Sequence, residues 1–394
     1  MVTTTHRWTT MRSAAVLVYA VSVLLIDVLP AITGVLAREL HFEAGALGAF
    51  ASANMLGYAA SGIPALVLMR HASPRTVVLA GLTILLGANL TSAVLSRALV
   101  LIMLQGIAGV GTGLALTACN YVFSLADRER NTGASLLSET ALATLGMLVI
   151  PVIVQNFGWR GLFVSFAVLV VPALVLARHF PRDYRDEKPS DDAATSPASQ
   201  LLTWSALISV ALCGVAIFVM WTYLERIGTE AGLSLDSISR ALAICTVSGF
   251  ISSLIVLVCG ERVTGTAPLL ACVFLYIVGV VATRSSSALI YTVAISVFYF
   301  SLPLFLAIQF GAIMRRIHSK RFAVLYTLAQ RCSSFGPIAG SLVAGRHGFA
   351  AVRWLALALM LVAAVILWSG FMMRRSSSQI RASAPAQLAR TPNN

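Results

Sequence analysis

The sequence contains ten stretches of 17 or more residues without a single Asp, Glu, Lys or Arg. Two further apolar stretches are each interrupted by one charge, residues 13–37 by Asp27 and residues 322–345 by Arg331. A helix of about 20 apolar residues crosses the hydrocarbon core of a bilayer. The sequence therefore predicts an all-α integral membrane protein with twelve transmembrane helices. The ten uninterrupted stretches are residues 44–69, 76–96, 98–126, 140–159, 161–177, 193–224, 241–260, 263–283, 285–314 and 354–373.

The composition excludes several classes of protein. Only 11% of the 394 residues are charged, whereas soluble globular proteins carry about 25%. So few charges cannot cover a water-facing surface of this size, which excludes a soluble enzyme. The net charge of +13 would suit nucleic acid, but the basic residues lie in short loops between the apolar stretches. We therefore expect a lipid bilayer, and no nucleic acid, as the surroundings of the chain.

The distribution of basic residues predicts the orientation. With the N-terminus in the cytoplasm, 19 Lys and Arg residues fall in cytoplasmic segments and 8 on the opposite side, and Arg331 completes the 28. Cytoplasmic loops of membrane proteins carry this excess. The sequence therefore predicts a multi-pass protein of the plasma membrane, the inner membrane of a bacterium, with both termini in the cytoplasm.

A polar segment divides the chain into two parts of similar length. Residues Pro181–Gln200 are rich in Pro, Ser and Asp, which is typical of a solvated linker. We expect a six-helix bundle over residues 1–180, a cytoplasmic linker over 181–200, and a second six-helix bundle with a short cytoplasmic tail over 201–394. Pro151 and Pro337 lie 186 residues apart, in corresponding spans of the two halves. Two parallel six-helix repeats would explain this spacing, although any twelve-helix protein has regularly spaced loops.

Several partial motifs suggest a family. They are Gly62 and Arg70 after span two, Gln105-Gly106 in span four, Gly146 and Pro151 in span five, GWRGLF at Gly158–Phe163, WTYLERIG at Trp221–Gly228, and FGPIAGSLVAG at Phe335–Gly345. With these motifs and the 6+6 topology, the chain resembles the major facilitator superfamily across nearly its whole length, and it resembles bacterial drug and metabolite efflux permeases. The resemblance implies the major facilitator fold, with spans one, four, seven and ten lining a central cavity.

Two charges lie near the predicted midplane of the membrane. Asp27 follows 14 residues of its span, and Arg331 lies about 15 Å from the preceding loop. A charge at this depth costs about 2.5–3.5 kcal/mol on insertion scales and is usually functional. We expect Asp27 to couple transport to protons and Arg331 to contact substrate, or the two to lock helices together. Glu139, at the end of span five, belongs either to the proton path or to the interface.

Further candidates for substrate binding are polar or aromatic residues inside the spans. Amides in a membrane often hydrogen-bond between helices, and aromatic residues often form a belt at the membrane surface, so each candidate also has a structural interpretation. The implied cavity favours a role in substrate binding. The candidates are Gln105, Asn120, Trp221, Tyr223, Tyr299 and Gln309.

These observations favour a secondary active transporter rather than an enzyme. All six His residues lie outside the spans, no HExxH motif is present, and the sequence has no GxxxxGK[ST] phosphate-binding loop. The six Cys residues lie in apolar stretches, without metal-ligand spacing. We therefore expect a monomer without cofactor or metal that exports a small organic compound as a proton antiporter. The alternative is proton-coupled uptake of an organic anion, with Arg331 binding its carboxylate.

Overall fold

The computed structural model describes residues 2–125, 128–183, 197–259, 265–314 and 320–388. These residues form fourteen α-helices, and no β-strand occurs among them. Apolar stretches fold in this way because a helix satisfies its own backbone amides and carbonyls where lipid offers no partner. The helices are α1 Val2–Asp27, α2 Leu29–Glu39, α3 Ala44–His71, α4 Pro74–Ser92, α5 Ala98–Ser124, α6 Arg128–Leu176, α7 Pro197–Thr222, α8 Leu224–Glu230, α9 Leu235–Cys259, α10 Thr266–Ala282, α11 Ala288–Met314, α12 Lys320–Arg331, α13 Gly336–His347 and α14 Phe349–Leu388.

Nine helices in the described part of the chain are long and apolar enough to cross a membrane. One of them, the apolar segment Gly133–His179, covers two of the predicted spans, because two helical segments meet at a kink at Gly158, where the backbone dihedral angles are not helical. The helix at Ala267–Ala282 is apolar but shorter. The predicted span at residues 322–345 is divided into α12 and α13 by one turn of 3₁₀-helix, Cys332–Phe335. The chain is therefore a multi-pass membrane protein.

Two further predicted spans are not continuous helices. The predicted span 13–37 breaks at Val28, between α1 and α2. The predicted span 193–224 breaks at Tyr223, between α7 and α8. The last predicted span, 354–373, lies within α14, which continues to Leu388. Most of the predicted linker, residues 184–196, lies outside the described residues.

The same turn occurs twice, about 190 residues apart. At the end of α2, Glu39 accepts a hydrogen bond from the backbone amide of Trp159 at 2.7 Å, beside Gly158 with φ of +61°. At the end of α8, Glu230 accepts one from the backbone amide of Ala350 at 2.6 Å, beside Gly348 with φ of +79°. Glycine adopts such a left-handed conformation without the steric cost that other residues bear. Each glutamate thus fixes the start of the helical segment that follows the glycine.

Two faces of the bundle can be defined by its loops. The distal face carries residues 40–43 and 231–234, which follow α2 and α8. The linker face carries residues 72–73 and 177–183, where the backbone amide of Arg75 donates to the carbonyl of Pro181 at 3.2 Å.

Glycines allow α5 to pack against both α3 and α4. A Cβ atom placed at Gly109 would overlap the backbone carbonyl of Asn54 in α3. Gly81 of α4 and Gly111 of α5 face each other, and a Cβ on either would lie 2.6 Å from the carbonyl oxygen of the other. Small residues bring helix backbones together in membranes in this way. Gly109 and Gly111 of α5 therefore serve helix packing.

Substitution of Gly109 by Ala is expected to destabilise the bundle by about 1–3 kcal/mol, because the new methyl group meets backbone that cannot move aside. The matched control is Gly87→Ala in α4, where a Cβ would have no atom within 4 Å. The measurement is the thermal unfolding midpoint of the purified protein in detergent. Equal midpoints for the two variants would contradict the packing interpretation.

Candidate functional site

The carboxyl groups of Asp27 and Glu139 lie within hydrogen-bonding range of each other. Asp27 is the last residue of α1 and directly precedes the break at Val28. Glu139 lies 11 residues after the first residue of α6, about 16 Å along the helix. The sequence puts Glu139 at the end of a span, because the charge-free stretch begins after it. The helix begins earlier than that stretch and therefore carries Glu139 inside the bundle.

This carboxyl pair is suited to binding a positive charge. Two ionised carboxylates at this separation repel each other, and one shared proton removes the repulsion and supplies the hydrogen bond. One oxygen of each group, Asp27 Oδ2 and Glu139 Oε2, is enclosed without a hydrogen-bond partner. The two side chains are otherwise half-buried. The pair can therefore hold a proton or exchange it for another cation.

Two aromatic rings from different helices stack beside the pair. The rings of Trp221 in α7 and Tyr299 in α11 are 4.5 Å apart and inclined by 22°. The indole nitrogen of Trp221 donates to the carbonyl of Ile26 at 3.2 Å, which fixes the ring next to Asp27. Asp27 and Glu139 both act electrostatically on Tyr299. The structure thus brings together four of the predicted site residues: Asp27, Glu139, Trp221 and Tyr299.

Two tyrosines complete this cluster, and sequence reasoning missed both. Tyr19 of α1 lies within electrostatic range of Asp27 and Glu139, and Tyr58 of α3 lies within range of Glu139. Tyr19 precedes Asp27 by eight residues, about two helical turns, so the spacing in α1 could have indicated it. No comparable signal marks Tyr58, since its position depends on the tertiary packing of α3, chiefly against α5 and α13.

Arg331 is held by α3. Its Nη1 donates to the carbonyl of Ala59 at 2.6 Å, and its guanidinium lies 5.4 Å from the centre of the Tyr58 ring. The guanidinium also packs against Gly62, where a Cβ would overlap it. Its Nε is buried and has no hydrogen-bond partner. Arg331 therefore binds α12 to α3, and Tyr58 lies within electrostatic range of both Arg331 and Glu139.

The predicted amides of α5 do not join the cluster. Gln105 is fully buried and lies between α3 and α4, where it accepts a hydrogen bond from Asn54 Nδ2 at 3.2 Å and donates to Ser92 Oγ at 3.4 Å. Asn120, near the end of α5, is exposed. Gln105 thus stabilises the packing of three helices of the first part of the chain.

Two further candidates also lie apart from the carboxyl pair. The hydroxyl of Tyr223 donates to the carbonyl of Pro337 at 2.7 Å, and its ring packs on Gly340, so the side chain joins the α7–α8 break to α13. Gln309 is fully buried in α11, where its Nε2 lies 3.7 Å from Cys213 Sγ and its Oε1 has no partner. Both contacts are made within residues 201–394.

The two parts of the chain meet near the distal face. Arg38 of α2 forms an ion pair with Glu225 of α8. Glu225 is only 4% exposed, and its carboxyl group packs against Gly34, where a Cβ would overlap it. Thr33 donates to the carbonyl of Thr222 at 2.8 Å. These contacts close the distal side of the cluster.

A second set of contacts joins α3 to α13 on the same side. Ser52 accepts a hydrogen bond from the backbone amide of Ile338 at 3.0 Å, and Gly48 packs on Ser341. Ser334, in the 3₁₀ turn before α13, donates to the carbonyl of Met55, which lies further along α3, at 3.0 Å.

In the described part of the chain, no group of three or more His, Cys, Asp or Glu residues is arranged to hold a metal ion.

The comparisons with known proteins agree with this architecture. The family model of the Major Facilitator Superfamily matches residues 14–315. No curated protein sequence matches the chain. Among solved structures, the fold is similar to that of a bacterial homologue of the human lysosomal transporter Spinster, in an inward-facing and unoccupied conformation. The TM-score is 0.69 at 12% identity, over 93% of this chain and 97% of that one. The chain belongs to the major facilitator superfamily.

Proposed function

We propose that the chain is a secondary active transporter that exports a small organic compound in exchange for protons across the inner membrane of a bacterium. The observation that carries this proposal is the carboxyl pair of Asp27 and Glu139, half-buried among aromatic side chains. A proton gradient supplies the driving force, since the sequence has no phosphate-binding loop for ATP. Membership of a transporter family supports transport in general.

The transporter has twelve spans in two six-helix halves, 1–180 and 201–394. Nine long apolar helices, the turn at Gly158, the short helix Ala267–Ala282 and the divided α12–α13 segment together account for twelve. The glutamate turns at the ends of α2 and α8 support two repeats related by an axis along the membrane normal. The breaks at Val28 and Tyr223, in the first span of each half, support the same relation.

The contacts near the distal face correspond to one state of alternating access. The Spinster homologue has been described as inward-facing and unoccupied, and the Arg38–Glu225 ion pair and the Thr33–Thr222 bond support the same state for this chain. The distal face is then the outer face, closed to the periplasm. The carboxyl pair is reached from the cytoplasm, where it releases its proton and accepts the substrate.

The exchange cycle follows from competition at the pair. In the outward-facing state a proton enters and replaces the substrate, and in the inward-facing state the substrate replaces the proton. Rocking of the two halves about the site moves it between the two sides. The breaks next to Asp27 and Trp221 allow the distal ends α2 and α8 to move separately from α1 and α7.

The uptake of an organic anion receives less support. That function requires a guanidinium that can bind a carboxylate. Arg331 Nη1 donates to Ala59 and the guanidinium lies over Tyr58, although its Nε has no partner. In this proposal Arg331 joins α12 of the second half to α3 of the first.

Reporter fusions are expected to place residue 185 in the cytoplasm and residue 232 in the periplasm, because the charge bias of 19 to 8 favours cytoplasmic termini. An alkaline phosphatase fusion is active only outside the cytoplasm, and a green fluorescent protein fusion is fluorescent only inside it. The opposite pattern of the two reporters would overturn the orientation.

The proposed function is tested by reconstitution into proteoliposomes with an imposed proton gradient and a panel of labelled organic cations, neutral compounds and anions. We expect uphill movement of at least one compound, abolished by a protonophore. Protein-free liposomes serve as the control. If no compound moves against its gradient, the chain is not a proton-coupled transporter of these classes.

A further inference from the structure

An apolar groove runs between α10 and α11 on the outer surface of the bundle. The two helix backbones approach each other at Gly279, where a Cβ would lie 2.7 Å from the amide nitrogen of Phe298 and 2.8 Å from the carbonyl oxygen of Ala294. Beside this contact the side chains enclose a groove of about 250 Å³. An unfilled groove would forfeit the dispersion contacts of its walls. The α10–α11 groove is lined by Val278, Ala282, Leu289, Ile290, Val293 and Val297.

The α10–α11 groove faces lipid and belongs to one leaflet, at the distal face. Leu289 is 73% exposed and Val293 is 53% exposed, so the groove opens to the surroundings of the bundle. It begins beside the loop 283–287, which joins the two helices, and extends to Val297, about 12 Å beyond Leu289 along α11. The hydrocarbon core is about 30 Å thick. The groove therefore runs along the upper part of an acyl chain of the distal leaflet.

Two arginines lie at the distal end of this part of the bundle. Arg284 is exposed in the loop that joins the walls of the groove, and Arg353 of α14 lies within electrostatic range of Arg284 and of Glu230. The carboxylate of Glu230 is already bonded to the backbone amide of Ala350 at 2.6 Å. Trp354 is 62% exposed, and exposed tryptophan is typical of the headgroup level. The two guanidinium groups thus lie at the depth of lipid phosphates.

An anion would lower the repulsion between these two like charges. Two other arginines of the distal face obtain their counter-charge from the protein, since Arg38 pairs with Glu225 and Arg240 with Asp236. For Arg284 and Arg353, a lipid phosphate can supply the same counter-charge. Arginine matches phosphate in a bidentate geometry.

We propose that the α10–α11 groove binds an anionic phospholipid of the distal leaflet, with one acyl chain in the groove and the phosphate between Arg284 and Arg353. Basic pockets between membrane helices bind lipid headgroups in this way. The lipid is bound rather than transported, so the inference goes beyond the proposed function and does not depend on it. The bound phosphate joins the α10–α11 loop to α14 and should stabilise the protein.

The experiment compares two lipids with the same acyl chains and different headgroups. Dioleoyl phosphatidylglycerol, which is anionic, and dioleoyl phosphatidylcholine, which is zwitterionic, are titrated into the purified full-length protein in detergent. Native mass spectrometry gives the dissociation constant of each. We expect the anionic lipid to bind about tenfold more tightly and to raise the thermal unfolding midpoint more. Equal affinities for the two lipids would overturn the proposal.

A compound without acyl chains tests the contribution of the groove. Glycerophosphoglycerol carries the headgroup and phosphate of phosphatidylglycerol, and it should not bind at the concentrations that saturate the lipid. If it binds as tightly as the lipid, the site is a phosphate site without a lipid groove, and the proposal is wrong.

Two variants with matched controls assign the binding to this site. Arg284→Gln should lower the affinity for phosphatidylglycerol about fivefold and leave that for phosphatidylcholine unchanged. Its control is Arg97→Gln, at an exposed residue of the distal loop between α4 and α5. Val293→Trp fills the groove and should lower the affinity for both lipids at least fivefold. Its control is Val164→Trp on α6, at a side chain that is 43% exposed.

All four side chains are exposed, so the variants should fold, and thermal unfolding midpoints without added lipid check this. Unchanged lipid affinity in Val293→Trp would exclude the groove. An equal loss of affinity in Arg97→Gln and Arg284→Gln would exclude a specific phosphate contact.

The same mass spectra test a different occupant of the groove. A second copy of the chain would give a dimer that persists without added lipid and that Val293→Trp dissociates, and this result would overturn the lipid assignment. Transport in proteoliposomes is measured separately. Lipid binding without uphill transport would leave this proposal standing and the proposed function wrong, and the reverse result would do the opposite.

Discussion

Asp27→Asn is expected to abolish proton-driven transport, lowering uphill accumulation in proteoliposomes at least tenfold. The amide cannot take up or release a proton, and its NH₂ group can donate to Glu139 and keep that carboxylate ionised. The remaining charge on Glu139 still binds the substrate. Exchange of labelled for unlabelled compound at saturating concentration should therefore stay within about threefold of wild type and become independent of pH.

The control for this prediction is Asp236→Asn, which removes a carboxylate of an exposed pair on α9. The side chains of Asp236 and Arg240 are 77% and 70% exposed, so the loss of their ion pair should leave transport unchanged. If Asp27→Asn still drives uphill transport with the pH dependence of wild type, Asp27 serves only to lock helices. Glu139→Gln would then be the next variant to measure.

The position of Asp27 could be predicted from the sequence because a single acid in a 25-residue apolar stretch has few explanations. Its partner could not be predicted. Glu139 precedes a charge-free run, and the sequence does not show that α6 begins 11 residues earlier, at Arg128. The pairing of the two carboxyl groups depends on the rotation of α1 against α6, which hydrophobic patterning does not determine in helices surrounded by apolar neighbours and lipid.

The polar candidates show the same limit. Gln105, Tyr223 and Gln309 are all buried within spans, as the sequence indicates, but each makes its contact with a neighbouring helix rather than with the carboxyl pair. A helical residue can face any of several neighbours. Which one it faces is fixed by packing details such as the close approach of α5 to α3 at Gly109. Residue type and depth therefore predict burial better than they predict participation in the site.

The breaks in the helices also follow from tertiary contacts. No proline or glycine stands at Val28 or Tyr223, although Pro30 follows Val28 within the first turn of α2. At these two breaks, Trp221 reaches Ile26 and Tyr223 reaches Pro337. The bond from Trp221 to Ile26 crosses between the halves and lies next to both breaks, whereas the bond from Tyr223 to Pro337 stays within the second half.

Arg38→Gln is expected to open the distal face, because it leaves the carboxylate of Glu225 buried without its counter-charge. Glu225 is 4% exposed and rests on Gly34, so its charge cannot easily turn to water while the face is closed. Removing one partner of a buried ion pair costs about 3–5 kcal/mol. Because the Arg38 side chain is 35% exposed, we expect the closed state to be destabilised relative to the open state by about 1–3 kcal/mol. This corresponds to roughly a 5- to 150-fold shift toward the open state.

The partner variant is expected to behave differently. Glu225→Gln removes the buried charge and keeps the shape that fits against Gly34, so closure should be retained. The double variant Arg38→Gln, Glu225→Gln should restore closure relative to Arg38→Gln alone. Asp236→Asn, in the exposed pair on the same face, is again the control without effect.

The closure of the distal face is expected to depend on pH with a defined sign. Burial raises the pKa of the Glu225 carboxyl, while Arg38 and then Arg226 partly oppose the increase. Glu225 lies in α8, beyond the apolar segment Gln200–Thr222. The closed state, in which the pKa is raised, binds the proton more tightly than an open state that exposes the carboxyl, so lowering the pH favours closure. The effect should be largest in Arg38→Gln and absent in the double variant.

The measurement is the distance between spin labels on cysteines introduced at Gly45 and Leu235, in the first turns of α3 and α9. Both positions are exposed, and a Cβ at Gly45 meets no atom within 4 Å. The two partly exposed native cysteines, Cys259 and Cys332, are replaced by serine. Arg38→Gln should add a longer distance that diminishes as the pH falls. If the distances are unchanged in Arg38→Gln at every pH, the ion pair does not hold the distal face closed, and the contacts of Thr33 and Ser52 alone are sufficient to close it.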